Sequence, residues 1–308
     1  MKHIHELDYK GLLWLNVTKQ TDVELKALQE RFDFWDQDIA ECGPQFQRPK
    51  IIKRPGYYFM SLHFPVFDRE TKRLGYTEVD FFLAHNFLIT VHNSKLISIE
   101  KFFEELKKSE ALREQILNGT AVRLLLELLS RLLDAVFPIL VHVNEDINFV
   151  DKKLFLKLPG REMAEEILRL KTNIVTFRRT MQAHKTVLER LVLFAGHELG
   201  FGNLQSSINS LREFSSEIWL MLESQKESIN ALHEANESLL SLRTNDVMRI
   251  LTIIAVLTFP LTLLATVFAI RAPGTPLVNL AGGFWAILGM ILLGAGVMIA
   301  VFKKKGWL

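Results

Sequence analysis

Residues Thr244–Arg271 read TNDVMRILTIIAVLTFPLTLLATVFAIR, and the fold is decided there. No side chain is charged from Ile250 to Ile270, and none is charged from Ala272 to Phe302. A helix of about 20 apolar residues crosses roughly 30 Å of hydrocarbon, so each run is long enough to span a bilayer. The segment between them, APGTPLVN, is too short to be a domain. The sequence therefore predicts a membrane hairpin closing a long, charged chain. Its parts are a first span at 247–270, an external linker at 271–279, a second span at 280–302 and a basic tail at 303–308.

The flanks predict the orientation. Lys303, Lys304 and Lys305 follow the second span, Arg243 and Arg249 stand at the entrance to the first, and the linker carries only Arg271. Positive flanks stay on the cytoplasmic side, which places both termini in the cytoplasm of a multi-pass protein of the cell membrane. The opening MKHIHELDYK has no apolar core of the signal-peptide kind, so the bulk of the chain is expected inside.

The first span is two-sided. Every third or fourth residue from Asn245 gives Asn245, Met248, Thr252, Ala255, Phe259, Thr262, Thr266 and Ala269, a smaller and more polar stripe than the Ile, Leu and Val opposite. Hydroxyl and amide groups in hydrocarbon need a partner helix or water. Two readings stand on the stripe alone: a close helix–helix contact or the wetted wall of a pore. Pro260 fits both.

Residues 244–271 resemble the first membrane helix of the CorA family of divalent-metal channels, and the ending FKKKGWL resembles that family's basic C-terminus. The likeness continues upstream in RPKIIKRPGYYFMSLHFPVFD and TEVDFFLAHNFLITVHN, which are similar to strands of the family's cytoplasmic domain. The resemblance implies a homopentamer in a lipid bilayer. Each chain would have an α+β cytoplasmic domain (a small, mostly antiparallel sheet with helices, at 1–202). A long stalk helix (203–246) would run into the pore-lining first span, with the second span in an outer ring. Together the copies would form a CorA-like funnel. It also implies Mg²⁺ as cargo, with Zn²⁺ or Co²⁺ as in relatives that carry those ions.

One departure bears on mechanism. Where the family has Gly-Met-Asn at the outer mouth, this chain has Ala269, Ile270 and Arg271. Pro276 aligns with a proline of the family's linker, but Leu277 stands where an acid is expected, and 271–279 contains neither Asp nor Glu. Five guanidinium groups about 6 Å from a divalent cation would each repel it by about 1.4 kcal/mol at water-like dielectric, roughly 7 kcal/mol together before salt screening. Two arrangements avoid that barrier. Arg271 snorkels to lipid phosphates, or the ring of arginines suits an anion.

Carried down the stalk without gaps, the resemblance puts Glu234 at an acidic ring near the inner mouth, the one metal-binding residue it suggests, with Glu237 one turn on. It also puts Asn245, Met248, Leu251, Thr252, Phe259 and Thr262 on the pore wall, where Met248, Leu251 and Phe259 would form apolar constrictions. The ordinary alternative for Glu234 and Glu237 is a solvated helix face. Ser210 stands near a regulatory stalk acid of the family and is not acidic.

The rest of the chain excludes other classes. The formal charge of +2 and the lack of a long basic tract give no case for nucleic acid. A single cysteine, Cys42, excludes an intrachain disulfide and a thiolate zinc cluster. No nucleophile–base pair or phosphate loop stands out (GHELGFG at 196–202 follows no strand), so no enzyme and no resident cofactor are predicted. His3 and His5 read as a frayed HxH, and His63, His85 and His92 are not brought together by spacing. His142 and Asp146 form an i, i+4 pair that usually sits on a solvated face.

Strands are expected at Gly11–Val17, Ile51–Lys53, Tyr57–Phe64, Thr77–Leu83 and Phe87–His92. Thr21 with Glu24 has the form of a capping box opening a helix to Phe32, and a short helix at Asp33–Cys42 follows. Ile99–Leu117 reads as one helix, and Thr120 opens another that Pro138 kinks and Leu158-Pro159-Gly160 ends. Arg161–Phe194 and Leu204–Ile270 are the long ones. Three functions compete: a divalent-cation channel; a channel of the same fold with changed selectivity, or a non-conducting sensor; and a membrane-anchored enzyme, which nothing supports.

Overall fold

The computed structural model describes residues 3–43, 47–118, 120–156, 160–195, 204–270 and 282–306. By its contacts the chain divides into two units, Met1–His233 and Glu234–Leu308.

The first unit is built on a six-stranded sheet. Its strands are β1 (Ile4–Tyr9), β2 (Leu12–Val17), β3 (Lys50–Arg54), β4 (Tyr57–Asp68), β5 (Arg73–Leu83) and β6 (Phe87–His92), in spatial order β1-β2-β6-β5-β4-β3. Neighbours are antiparallel except β2 and β6, which run parallel. Turn chemistry fixes two hairpins. Lys10 (φ 51°) and Gly11 (φ 88°) both take positive φ between Tyr9 and Leu12, as the tightest hairpin turns require. Pro55-Gly56, with Gly56 at φ 89°, joins Arg54 to Tyr57, the Pro-Gly order that a type II turn favours. The N-terminal segment expected to fray is thus strand β1, with His5 paired to Asn16. Its weak alternation hid it, since only Leu7 of the strand is buried.

Alternation along the strands sends Trp14, Met60, Leu62, Phe81 and Leu88 to one face and Leu15, Phe59, Phe82, Ile89 and Val91 to the other. The second face is covered by α1 (Asp22–Phe32) and α2 (Asp36–Glu41) through Leu25, Leu28 and Ile39. The first face is covered by α3 (Ile97–Lys108), α5 (Ala121–Asp134) and α7 (Arg161–Ala195). Both faces being buried, the sheet is the middle layer of a three-layer α+β unit.

Three helix expectations change in detail. The predicted helix 99–117 is two, α3 and α4 (Glu110–Leu117), because Ser109 is extended and its hydroxyl accepts from the Leu112 amide at 3.2 Å, an N-cap. The helix opened by Thr120 is also two, α5 and α6 (Phe137–Leu156). Pro138 lies in the first turn of α6, where its missing N–H costs nothing, rather than kinking a continuous rod. Thr21 precedes α1 as expected, but its hydroxyl donates to the Glu24 carboxylate instead of capping an amide. Leu158 and Pro159, and the glycines Gly196, Gly200 and Gly202, lie outside the described residues.

Burial shapes the charges of this unit. Asp38, fully buried in α2, accepts two bonds from Arg54 (2.6 and 2.9 Å) and one from the Tyr57 hydroxyl (2.7 Å). Burial pushes the Tyr57 phenol up to about 12. His92 and His184 are buried and neutral, each lowered to about 4 by desolvation. The Asp80 carboxyl is raised, first by burial and then by Glu78. Cys42 is a buried thiol whose Sγ meets the Asp38 carbonyl at 3.3 Å; burial raises its pKa as well.

The long helix α8 (Gln205–Ala269) begins in the first unit and continues into the second. Its early turns join the core through Ile208, Leu211, Ile218 and Leu222. At 1.5 Å per residue it is about 100 Å long. The second unit adds α9 (Gly283–Lys304). Both helices carry a stretch apolar and long enough to cross a membrane, almost none of it buried within the chain.

Candidate membrane-helix site

In the second unit, α8 has a covered side and an open side. Ile253 is buried, and Leu257, Leu261 and Phe268 are half-buried. Leu261 faces α9: its Cδ2 lies 3.6 Å from where a Cβ on Gly294 would sit. Spaced by four, four and seven residues on a helix of 3.6 per turn, these four form one stripe.

The polar stripe lies roughly 180° around the helix from them. Asn245, Met248, Thr252, Phe259, Thr262, Thr266 and Ala269 are all exposed, Phe259 by 74%, and only Ala255 is half-covered. Leu251 is exposed beside the stripe. From Phe259 on the stripe is open, while its first part, Asn245, Met248 and Thr252, lines a small pocket with Lys305 and Gly306 just past α9. The asymmetry follows from size and shape: glycine on α9 admits Leu261 closely, and the hydroxyl side is left for something outside the chain.

The threonine hydroxyls are satisfied within the helix. Thr252 donates to the Met248 carbonyl (2.7 Å), Thr262 to that of Thr258 (2.8 Å) and Thr266 to that of Leu263 (2.9 Å). Back-bonding of this kind removes the penalty of a bare hydroxyl in hydrocarbon. Each oxygen keeps acceptor capacity directed off the helix. Pro260 stands inside α8 and leaves the helix unbroken.

Before the apolar run of α8, Arg249 donates to the Gly306 carbonyl, tying this part of α8 to the residues just past α9. Sequence reasoning treated Arg249 as an orientation signal only. Lys303 and Lys304 form the last turn of α9. Glu234 and Glu237 are exposed. Ile270 is exposed, while Arg271, Pro276, Leu277 and the rest of the linker lie outside the described residues.

No group of three or more His, Cys, Asp or Glu among the described residues could hold a metal ion. His142 and Asp146 are not a cation pair: the His142 ring packs edge-on to Phe67, and Asp146 accepts from Arg169 at 3.4 Å. His92 is buried against Asn16 (2.9 Å), and His63 stacks on Tyr76.

The sequence profile described as CorA-like Mg²⁺ transporter protein matches residues 9–304. The chain belongs to that family. Family members are ion transporters, not enzymes, and the two apolar helices make this one a membrane protein. The chain is 26% identical to a putative metal ion transporter, YfjQ, of Bacillus subtilis over 96% of its own length and 89% of the relative's. It is 24% identical to the cobalt/magnesium transport protein CorA of Thermotoga maritima, covering 96% and 83%. The complete structure of the CorA magnesium transporter from Methanocaldococcus jannaschii superposes with a TM-score of 0.85 at 18% identity, covering 99% of this chain and 94% of that one. The full-length CmaX protein does so with 0.75 at 17%, covering 98% and 91%. These structural likenesses establish the fold: a soluble α+β unit, a long helix and a C-terminal apolar helix.

Proposed function

We propose that the chain forms a homopentameric channel for divalent cations, Mg²⁺ first, with Zn²⁺ and Co²⁺ as further cargo. The pore is lined by the first membrane span of α8. The observation that carries this reading is the exposed stripe of Asn245, Thr252, Thr262 and Thr266, roughly opposite Ile253, Leu257 and Leu261 on the helix. A ring of copies turns that side toward a common axis, where the free acceptor capacity of the hydroxyls meets hydrated ions. Met248, Leu251 and Phe259 narrow the path and gate it by dewetting. Copies of Glu234 gather the acids that one chain lacks and concentrate cations at the inner mouth. Both termini are cytoplasmic, with the cytoplasmic domain at 1–202, the stalk at 203–246 and the spans at 247–270 and 280–302.

The outer mouth differs from the family pattern. Ala269 and Ile270 offer only backbone carbonyls to an ion, and we assign Arg271 to the headgroup layer, away from the axis. A second reading is favoured by Arg271 itself and by the acid-free linker: an anion-passing or weakly selective pore, or a sensor that does not conduct. Flux into proteoliposomes separates them. Wild type is expected to pass Mg²⁺ over Cl⁻, with Arg271→Asn changing cation flux less than about twofold. A rise of tenfold or more in Arg271→Asn, the size of a 1.4 kcal/mol barrier removed, puts the guanidinium on the ion path. Chloride flux in wild type overturns the cation assignment.

A further inference from the structure

The first unit holds a cavity of about 750 Å³ that the transport reading does not use. Its size is within the range of sites for small organic ligands, roughly 300–1,000 Å³. Phe64, Leu132, Val136 and Ile139 give it an apolar floor. Its rim is cationic. Arg69 and Lys72 come from the β4–β5 turn and Lys95 from the segment just before α3, and all three are exposed.

Two carboxylates also line the cavity, and both are accounted for. Asp146 and Glu166 accept from Arg169 of α7 at 3.4 and 2.7 Å, and Arg169 holds the Glu166 carboxyl below its usual range. The lining thus carries four cations against two ionised acids, a formal excess of two positive charges. The arrangement is built in advance of any ligand. Arg169 and Asn173 both donate to the Lys72 carbonyl (2.6 and 3.0 Å), and Asn173 accepts from the Leu74 amide (3.0 Å), fastening the turn to α7.

Rings stand between the floor and the rim. Phe67 and His142 meet edge to face with centroids 5.1 Å apart, and Phe149, 60% exposed, stands at the mouth. An exposed aromatic beside exposed cations is suited to a ligand with a flat body and a compact, doubly charged head. A phosphate monoester carries about −1.5 to −2 charges at pH 7, which matches the excess on the rim. A carboxylate brings one charge, and inorganic phosphate leaves the aromatic part empty.

We propose that this cavity binds a nucleotide-class ligand, a phosphate monoester with a planar ring body. Its phosphate lies at Arg69, Lys72 and Lys95, and its ring lies beside Phe67, His142 and Phe149. Occupancy ties the β4–β5 turn to α3, α6 and α7 and makes the soluble unit responsive to a metabolite as well as to ions.

The test uses the full-length protein in detergent and metal-free buffer, titrated calorimetrically with adenosine 5′-monophosphate, inorganic phosphate, adenosine and dodecyl phosphate. The expected result is saturable binding of the monophosphate, with phosphate and adenosine each at least about tenfold weaker. Arg69→Gln with Lys72→Gln, both on an exposed turn, should weaken it by about tenfold or more, and Phe149→Ala by about three- to tenfold, where tenfold corresponds to 1.4 kcal/mol. Lys95→Gln, on a separate segment, gives an independent loss of about fivefold, and unchanged unfolding midpoints exclude misfolding. Absence of saturable binding, or full affinity in the charge variants, overturns the proposal. So does dodecyl phosphate binding as tightly as the nucleotide with no effect of Phe149→Ala, because the site would then hold an aliphatic amphiphile.

Discussion

The two units solve the same problem in opposite ways. In Met1–His233 the large apolar side chains of the sheet, Trp14, Phe59, Phe81 and Phe82 among them, are wholly buried between helices. In Glu234–Leu308 the equivalent material is left out: Phe259, Leu263, Trp285 and Leu293 are each more than 60% exposed. The first unit supplies its own apolar surroundings, and the second requires lipid or other copies to supply them. The difference teaches where function can be read from one chain. The soluble unit buries its own core, so many of its polar groups, Asp38 and His184 among them, can be assigned partners within the chain. The membrane unit is half of a set of contacts, and its stripe is informative because, from Phe259 on, it is exposed among the described residues.

The comparison breaks most sharply if the stripe is dry. Single cysteines at Thr252, Thr262, Ile254 and Leu264, in a Cys42→Ser background, are exposed in proteoliposomes to a membrane-impermeant thiol reagent. Only a thiolate reacts, and thiolate forms in water and not in hydrocarbon. The expected outcome is all or none: modification at Thr252→Cys and Thr262→Cys, with none at Ile254→Cys and Leu264→Cys. Protection of the two threonine positions would make the stripe a dry contact and end the pore reading.

A smaller effect sharpens the other side. Arg54→Ala leaves the buried Asp38 carboxylate with only the Tyr57 hydroxyl and loses the stacking of Arg54 on Trp35 (4.5 Å). Stranding a buried charge in this way costs about 3–5 kcal/mol. Chemical denaturation followed by tryptophan fluorescence should show a loss of that size. A loss under about 1 kcal/mol would mean that water reaches Asp38 and that the soluble unit is less closed than its burial indicates.

These contrasts also explain what the sequence disclosed. The two spans, α7 and the continuous α8 are legible because one periodic pattern runs through each, and five of the six strands are legible as short runs rich in apolar, aromatic and β-branched residues. Strand β1 is not, because IHELDY buries a single leucine and only the Lys10-Gly11 turn that pairs it with β2 marks it. The breaks at Ser109 and Pro138 were visible residues with ambiguous meaning: a serine can cap or be carried, and a proline can kink a helix or start one. The polar stripe was legible as a pattern, but its separation from α9 needed Leu261 and Gly294 side by side. The cavity was not legible at all, since its rim joins residues 69, 72, 95 and 169 through tertiary contacts alone.

The smallest of these effects concerns one proton. His184 is buried, with its ring nitrogen Nε2 2.6 Å from the His63 carbonyl and Phe64 packed edge-on against it. Its pKa is lowered to about 4 by burial, from an ordinary value near 6.5. Between those values the unfolded chain binds a proton that the folded chain refuses, so stability falls as pH drops. The window of about 2.5 units is worth at most about 3 kcal/mol for this group. His92 acts in the same direction. Asp80 opposes them: its raised carboxyl takes up a proton in the folded state first, so its contribution is lost as pH rises. The net slope of the wild type therefore mixes these groups with other shifted carboxyls, Glu166 and Asp134 among them, and a variant isolates one. His184→Gln can keep a donor toward the His63 carbonyl and cannot titrate. From pH 7 to pH 4 it should lose about 3 kcal/mol less stability than wild type, whatever it loses at neutral pH. Parallel pH profiles for the two proteins would mean that His184 takes up its proton without opening the fold, and that the layer between β4 and α7 is wetter than its packing implies.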